Sequence, residues 1–154
     1  MSTVGEDVLA RFVEPRHGRS RQQRRGGGVV LTGNGQSGYN NILGERGELL
    51  AARHLRARGL TVLARNWRCS DGELDLVAGV ADRLVVCEVK TRTGAAFGRP
   101  GEAVTAAKAR RIRRLTSLWL ANQRASWNGV RFDVIEILLS AGEPPRITHH
   151  EDVF

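Results

Sequence analysis

A chain of 154 residues with 41% hydrophobic side chains has the size of one domain and enough apolar matter for an ordinary core, so no second domain is required. Lysine and arginine outnumber aspartate and glutamate by 24 to 16, and the resulting net charge of +8 favours polyanionic partners such as nucleic acid. Cys69 and Cys87 form no paired spacing, which argues against a disulfide framework or a cysteine zinc site. No apolar run approaches the roughly 18 residues of a membrane span, so a cytoplasmic chain without a membrane partner is expected.

Residues 1–43, which contain "PRHGRSRQQRRGGGVVLTGNGQSGYNN", sustain no period of two or 3.6 and carry six arginines against three acids. They are expected to form a disordered basic arm, with a helical turn at "GEDVLARFV" as the local exception. The folded domain is expected over 44–154. Within it "GERGELLAARHLRARG" sets Leu49, Ala52 and Leu55 at helical spacing, which predicts an amphipathic helix over 45–58 stopped by Gly59. Strands follow at "LTVLARNWR" (60–68), "ELDLVAG" (73–79) and "RLVVCEVKTR" (83–92), each with the alternation of a pleated strand. After a glycine-rich loop over 93–101, "EAVTAAKARRIRRLTSLWLANQ" (102–123) predicts a second helix with Val104, Ile112, Leu115 and Trp119 along one stripe. "VRFDVIEILL" (130–139) is a fourth strand and "PPRITHHEDVF" holds a short last one. This order predicts an α/β fold, a mixed sheet flanked by helices.

The acids of the central hairpin stand where a core would be expected. If "VADR" closes the turn between Gly79 and Leu84, Asp75 falls opposite Glu88 and Glu73 opposite Lys90. Two carboxylates with Cβ atoms ~5 Å apart repel unless something compensates them. Mg²⁺ would, since it takes carboxylate and phosphate oxygens at ~2.1 Å. Lys90, two residues beyond Glu88, could then orient an attacking water and stabilise charge at a phosphate. The plainer reading is a cross-strand salt-bridge ladder. Against it, Val85, Cys87 and Val89 on one face and Leu84 and Val86 on the other suggest a strand buried on both sides, where an unpaired acid is expensive. Glu48 lies on the inward stripe of the first helix, either as a third carboxylate for the same site or as an acid favoured by the helix N-terminus.

Elsewhere, Lys108, Arg110, Arg111, Arg113 and Arg114 of the second helix suit phosphate contacts, with a solvated helix face as the alternative. Of the 24 basic residues only Lys90 and Lys108 are lysine. Asp133 is expected to pair structurally, with Arg131 among its candidates, and His149 and His150 to point to opposite faces. Trp67, Trp119 and Trp127 are read as packing residues, and Cys87 as a small buried apolar one.

Glu48, then Asp75, then Glu88-Val89-Lys90 resemble the Asp, Asp/Glu-x-Lys signature of the restriction-endonuclease-like nucleases. More narrowly, "GERGELLAARHLRARG", "RNWRCSDGELDLVA", "VVCEVKTRTGAAFGRPGEAVTAAKARRI" and "RFDVIEI" resemble the YraN family, whose fold is similar to that of archaeal Holliday-junction resolvases. The resemblance covers roughly 44–154. It implies a site for Mg²⁺ or Mn²⁺ held by Asp75, Glu88 and Glu48, with Lys90 as catalytic lysine. It further implies cleavage of DNA, branched or otherwise structured DNA included, and a homodimer. The alternative is a catalytically silent nucleic-acid-binding module that acts with a partner protein. The arm departs from the family pattern and inherits no role from it.

Overall fold

A computed structural model describes residues 35–94 and 104–154. The arm before residue 35, the turn expected at "GEDVLARFV" and most of the glycine-rich loop lie outside these residues. In chain order the elements are α1 (Gly35–Ala57), β1 (Thr61–Cys69), β2 (Gly72–Val80), β3 (Arg83–Thr93), α2 (Ala106–Ala121), β4 (Gly129–Leu139) and β5 (Arg146–His150). The strands form one five-stranded sheet in the order β1-β2-β3-β4-β5. Only β3 and β4 run parallel, joined through α2, while the other neighbours are antiparallel. The expected mixed sheet flanked by helices is therefore present.

The two helices cover opposite faces. Ala51, Ala52 and Leu55 of α1 pack with Leu76, Ala78, Val85, Cys87, Ile135 and Ile137. Ile112, Leu115 and Trp119 of α2 pack with Leu63, Val77, Leu84 and Val86, and Trp67 and Trp127 fill the margin of that cluster. Cys87 is fully enclosed. None of the described helices is long and apolar enough to cross a membrane.

Both helices begin elsewhere than the sequence predicts. α1 starts at Gly35 rather than at residue 45; once a helix is nucleated, adding residues costs little, so a segment without an apolar stripe can extend it. Leu49, expected on the buried stripe, is 48% exposed. The inward face is Gly47, Ala51, Ala52 and Leu55, whose small residues let the helix lie close to the sheet. α2 starts at Ala106 because Thr105 caps it, its Oγ1 accepting the backbone N–H of Lys108 at 3.2 Å. Val104 still packs on the core, from the residue before the cap. The stop at Gly59 is as expected: φ is +83° there, and Leu60 N–H donates to the Leu55 carbonyl at 3.0 Å.

Gly47 fixes how closely α1 approaches β3. A Cβ there would sit 2.9 Å from the Thr91 Cβ and overlap its hydroxyl. Gly47→Ala is expected to push α1 outward at a cost of about 1–3 kcal/mol, read as a lowered melting temperature. An unchanged melting temperature would show that the helix yields freely.

Candidate functional site

The β2–β3 ladder runs from Leu76 opposite Cys87 to Val80 opposite Arg83, the register expected from the four-residue turn. Beyond Leu76 the strands part. Leu74 belongs to the cluster beneath α2 while Leu76 belongs to the one beneath α1, so the alternation slips at the residue between them, Asp75. In place of a ladder bond the Asp75 carboxylate accepts the Val89 backbone N–H at 2.8 Å. This anchors it against β3 beside Glu88. Burial and the neighbouring Glu88 push its carboxyl up to about 7, the Val89 bond opposes the shift, and Glu48 adds to it. Asp75 thus feels a helix from each side of the sheet, Glu48 from α1 and Lys108 from α2.

Glu88 is only 13% exposed and forms an ion pair with the Lys108 ammonium. Lys90 follows on the same strand. Burial and the like charges of Lys108 and Arg92 hold its ammonium below the ordinary range, against the pull of Glu88 and Glu136. Glu48 accepts a hydrogen bond from Asn66 Nδ2, and burial raises its carboxyl despite that bond. Asn66 itself sits at φ +50°, a conformation asparagine tolerates better than most residues.

Two expectations change. The ladder ends at Leu76 with Cys87, so Asp75 is held beside Glu88 by its bond to the Val89 N–H rather than by a ladder pairing opposite it. Glu73 does not stand across from Lys90; it pairs with Arg68 on β1 at 2.9 Å, because the hairpin has opened before reaching it. The residue across from Lys90 is Glu136 of β4. Glu136 is 5% exposed and bonded to His150 at 3.2 Å. Sequence reasoning passed over it, although it carries the signal that marked Glu88, an acid between apolar neighbours in a central strand. On α2, Lys108 reaches the acids while Arg110, Arg111, Arg113 and Arg114 remain exposed. Two of these already have partners: Arg114 pairs with Asp71, and Arg113 lies over the Phe132 ring, 5.3 Å from its centroid.

Asp75 and Glu88, with Glu48 at the margin, offer carboxylate oxygens of the kind a hard divalent cation takes. Burial is the largest cause of the raised Asp75 carboxyl and the charge of Glu88 the next, and a cation held there would offset both. Asp75 and Glu88 are donors of the type Mg²⁺ or Mn²⁺ takes, while among the described residues the three side chains with ligand atoms within 4.8 Å of one another are Cys87, Asp133 and His149.

The profile of the Uncharacterised protein family UPF0102 matches residues 47–137. A UPF0102 protein of Nocardia farcinica is 52% identical over 117 residues, covering 76% of this chain and 92% of the relative. One from Rhodococcus opacus is 48% identical over 116 residues, 75% of this chain and 98% of the relative. The chain belongs to UPF0102. This is the YraN family to which the motifs pointed, and the sheet between two helices agrees with the fold class that the resemblance implied. The match takes in Glu48, Asp75, Glu88, Lys90, Lys108 and Glu136, and starts after the basic arm.

The UPF0102 chain has a second polar cluster on the sheet face beneath α1. Ligand-type atoms of Cys87, Asp133 and His149 lie within 4.8 Å of one another. Asp133 Oδ2 accepts from Arg131 Nη2 at 2.9 Å and pairs with His149 Nε2 at 2.9 Å, while Oδ1 accepts the Asp152 backbone N–H at 3.0 Å. Burial alone would raise this carboxyl, but these bonds outweigh it and hold Asp133 below the usual range. Glu151 extends the network to Arg131 and Arg58. Arg131 and His149 share one oxygen of Asp133 and the Asp152 N–H takes the other, so this cluster is a clamp on the C-terminal segment. Asp133 pairs with Arg131 as expected, and His149 and His150 point to opposite faces, one to Asp133 and the other to Glu136.

Proposed function

We propose that this UPF0102 protein is a metal-dependent endonuclease that hydrolyses DNA phosphodiester bonds, branched or otherwise structured DNA included. The observation that supports the reading is the pair of partly buried acids Asp75 and Glu88 beside both lysines of the chain, with Glu48 acting on Asp75 from α1.

Asp75 and Glu88 would hold Mg²⁺ or Mn²⁺, with Glu48 as the third acid. The ion would supply a more acidic water and polarisation of a phosphoryl oxygen. Asp75 is fixed for this role by its bond to the Val89 backbone, and Asn66 orients Glu48. Lys90 stands beside the acids with an ammonium whose proton is more easily released than usual, suited to hold the attacking water and stabilise charge at phosphorus. The exposed arginines of α2 would contact phosphates and position the strand without reading its sequence. Arg110→Ala is expected to weaken DNA binding uniformly across sequences and to reduce the log–log salt slope by about 1, read by fluorescence anisotropy over a salt series. An unaltered slope would remove Arg110 from the interface. Two copies in a homodimer, as the resolvase likeness suggests, would present paired sites to a junction.

The reading is tested by incubating labelled single-stranded, duplex, flap and four-way-junction DNA with Mg²⁺ or Mn²⁺ and the parent or Glu88→Ala. Metal-dependent cutting that is lost in the variant supports it, and the favoured substrate identifies the structure recognised. One observation favours a second reading, a silent binding module: Glu88 already has a cation in Lys108. Salt-dependent DNA binding without metal affinity or cutting would select that one.

A further inference from the structure

Lys108 is oddly placed for a lysine. It lies in the first turn of α2, where the helix dipole disfavours a positive charge, and that turn holds no acid. Its backbone N–H is bound by the Thr105 cap, so the base of the side chain is fixed while the ammonium reaches Glu88. In a chain whose other lysine-or-arginine positions are all arginine, the two lysines meet beside Asp75 and Glu88. An ammonium is a compact charge that leaves a carboxylate readily, whereas a guanidinium holds both oxygens in a fork.

We propose that Lys108 is a built-in stand-in for the divalent cation: it neutralises Glu88 in the metal-free protein, yields that position when the metal binds, and is thereby released to a substrate phosphate. This rests on the nuclease reading of the site. The metal displaces from Glu88 the side chain that DNA then takes up, so each should strengthen the other's binding through it. Lys108 acts here as a positioning residue, and its effect is read from binding rather than turnover.

Calorimetric titration of Mn²⁺ at pH 8, without DNA, tests the exchange. Lys108→Gln removes the competitor and is expected to bind Mn²⁺ about tenfold more tightly than the parent. Lys108→Arg keeps the charge, preserves folding if the Gln variant fails to fold, and is expected to bind Mn²⁺ more weakly than the parent. Anisotropy with a short labelled duplex gives the second half. The parent's DNA affinity should rise about tenfold from EDTA to Ca²⁺, and Lys108→Gln should lose that rise. Unchanged or weaker Mn²⁺ binding in Lys108→Gln, or equal binding in Lys108→Arg and the parent, overturns the stand-in role while leaving the metal site intact. A parent that binds no Mn²⁺ overturns both this inference and the nuclease reading.

Discussion

Asp75→Asn is expected to lower metal-dependent cleavage at least about 10³-fold and, at pH 8 without divalent cations, to make the protein more stable than the parent. The amide keeps an oxygen for the Val89 N–H but carries no charge for a metal. An unfolded aspartate titrates near 3.9, whereas Asp75 in the fold titrates at about 7. Between those values the folded chain holds a proton that the unfolded chain has lost, so this group's contribution falls as pH rises and is fully unfavourable above 7. The size is on the order of 4 kcal/mol at pH 8. Chemical denaturation in EDTA at pH 4 and pH 8 separates the cases: the variant should match the parent in acid and exceed it in base. Mn²⁺ should stabilise the parent at pH 8 and leave the variant unaffected. A variant less stable than the parent at pH 8 would mean that Asp75 is a structural partner rather than an acid kept for a ligand.

On the opposite face the expected sign reverses. Asp133→Ala leaves Arg131 and His149, 18% and 2% exposed at their side chains, without the carboxylate they share. Removing one partner of such a buried pair costs about 3–5 kcal/mol. It also frees the Asp152 backbone N–H, while the Val153 N–H bond to the Phe132 carbonyl at 2.8 Å and the Phe154–Phe132 stack still hold the segment. Because the folded carboxyl of Asp133 titrates below its unfolded value, its stabilisation is present at neutral pH and fades as pH falls through the folded value. The deficit of the variant should therefore be largest at neutral pH and shrink in acid. Thermal unfolding at several pH values reads this directly; a loss under 1 kcal/mol at neutral pH would show that Arg131 and His149 find other partners.

The hairpin register was legible because a short turn between two alternating strands leaves few pairings. Glu88 was legible for a different reason, its place in a strand apolar on both faces. Glu136 carries the same signature, but its place across from Lys90 depends on the parallel pairing of β3 with β4, which no local pattern records. Glu73 was paired with the wrong strand because the parting of β2 and β3 after Leu76 depends on packing that no local pattern records. Leu49 was misplaced for a related reason: Ala51 and Ala52 draw α1 onto the sheet and narrow its buried stripe. The contact between Lys108 and Glu88 depends on the approach of α2 to the sheet, and the sequence offered only the scarcity of lysine as a hint.

The most direct test of the central claim, that the acids of the hairpin form a divalent-metal centre, is anomalous X-ray scattering from crystals of the protein soaked in Mn²⁺. The expected result is a manganese peak ~2.1 Å from carboxylate oxygens of both Asp75 and Glu88, with the Lys108 ammonium moved off Glu88. Manganese absent from these carboxylates, with Lys108 still paired to Glu88, would contradict the account and leave the acids a structural role.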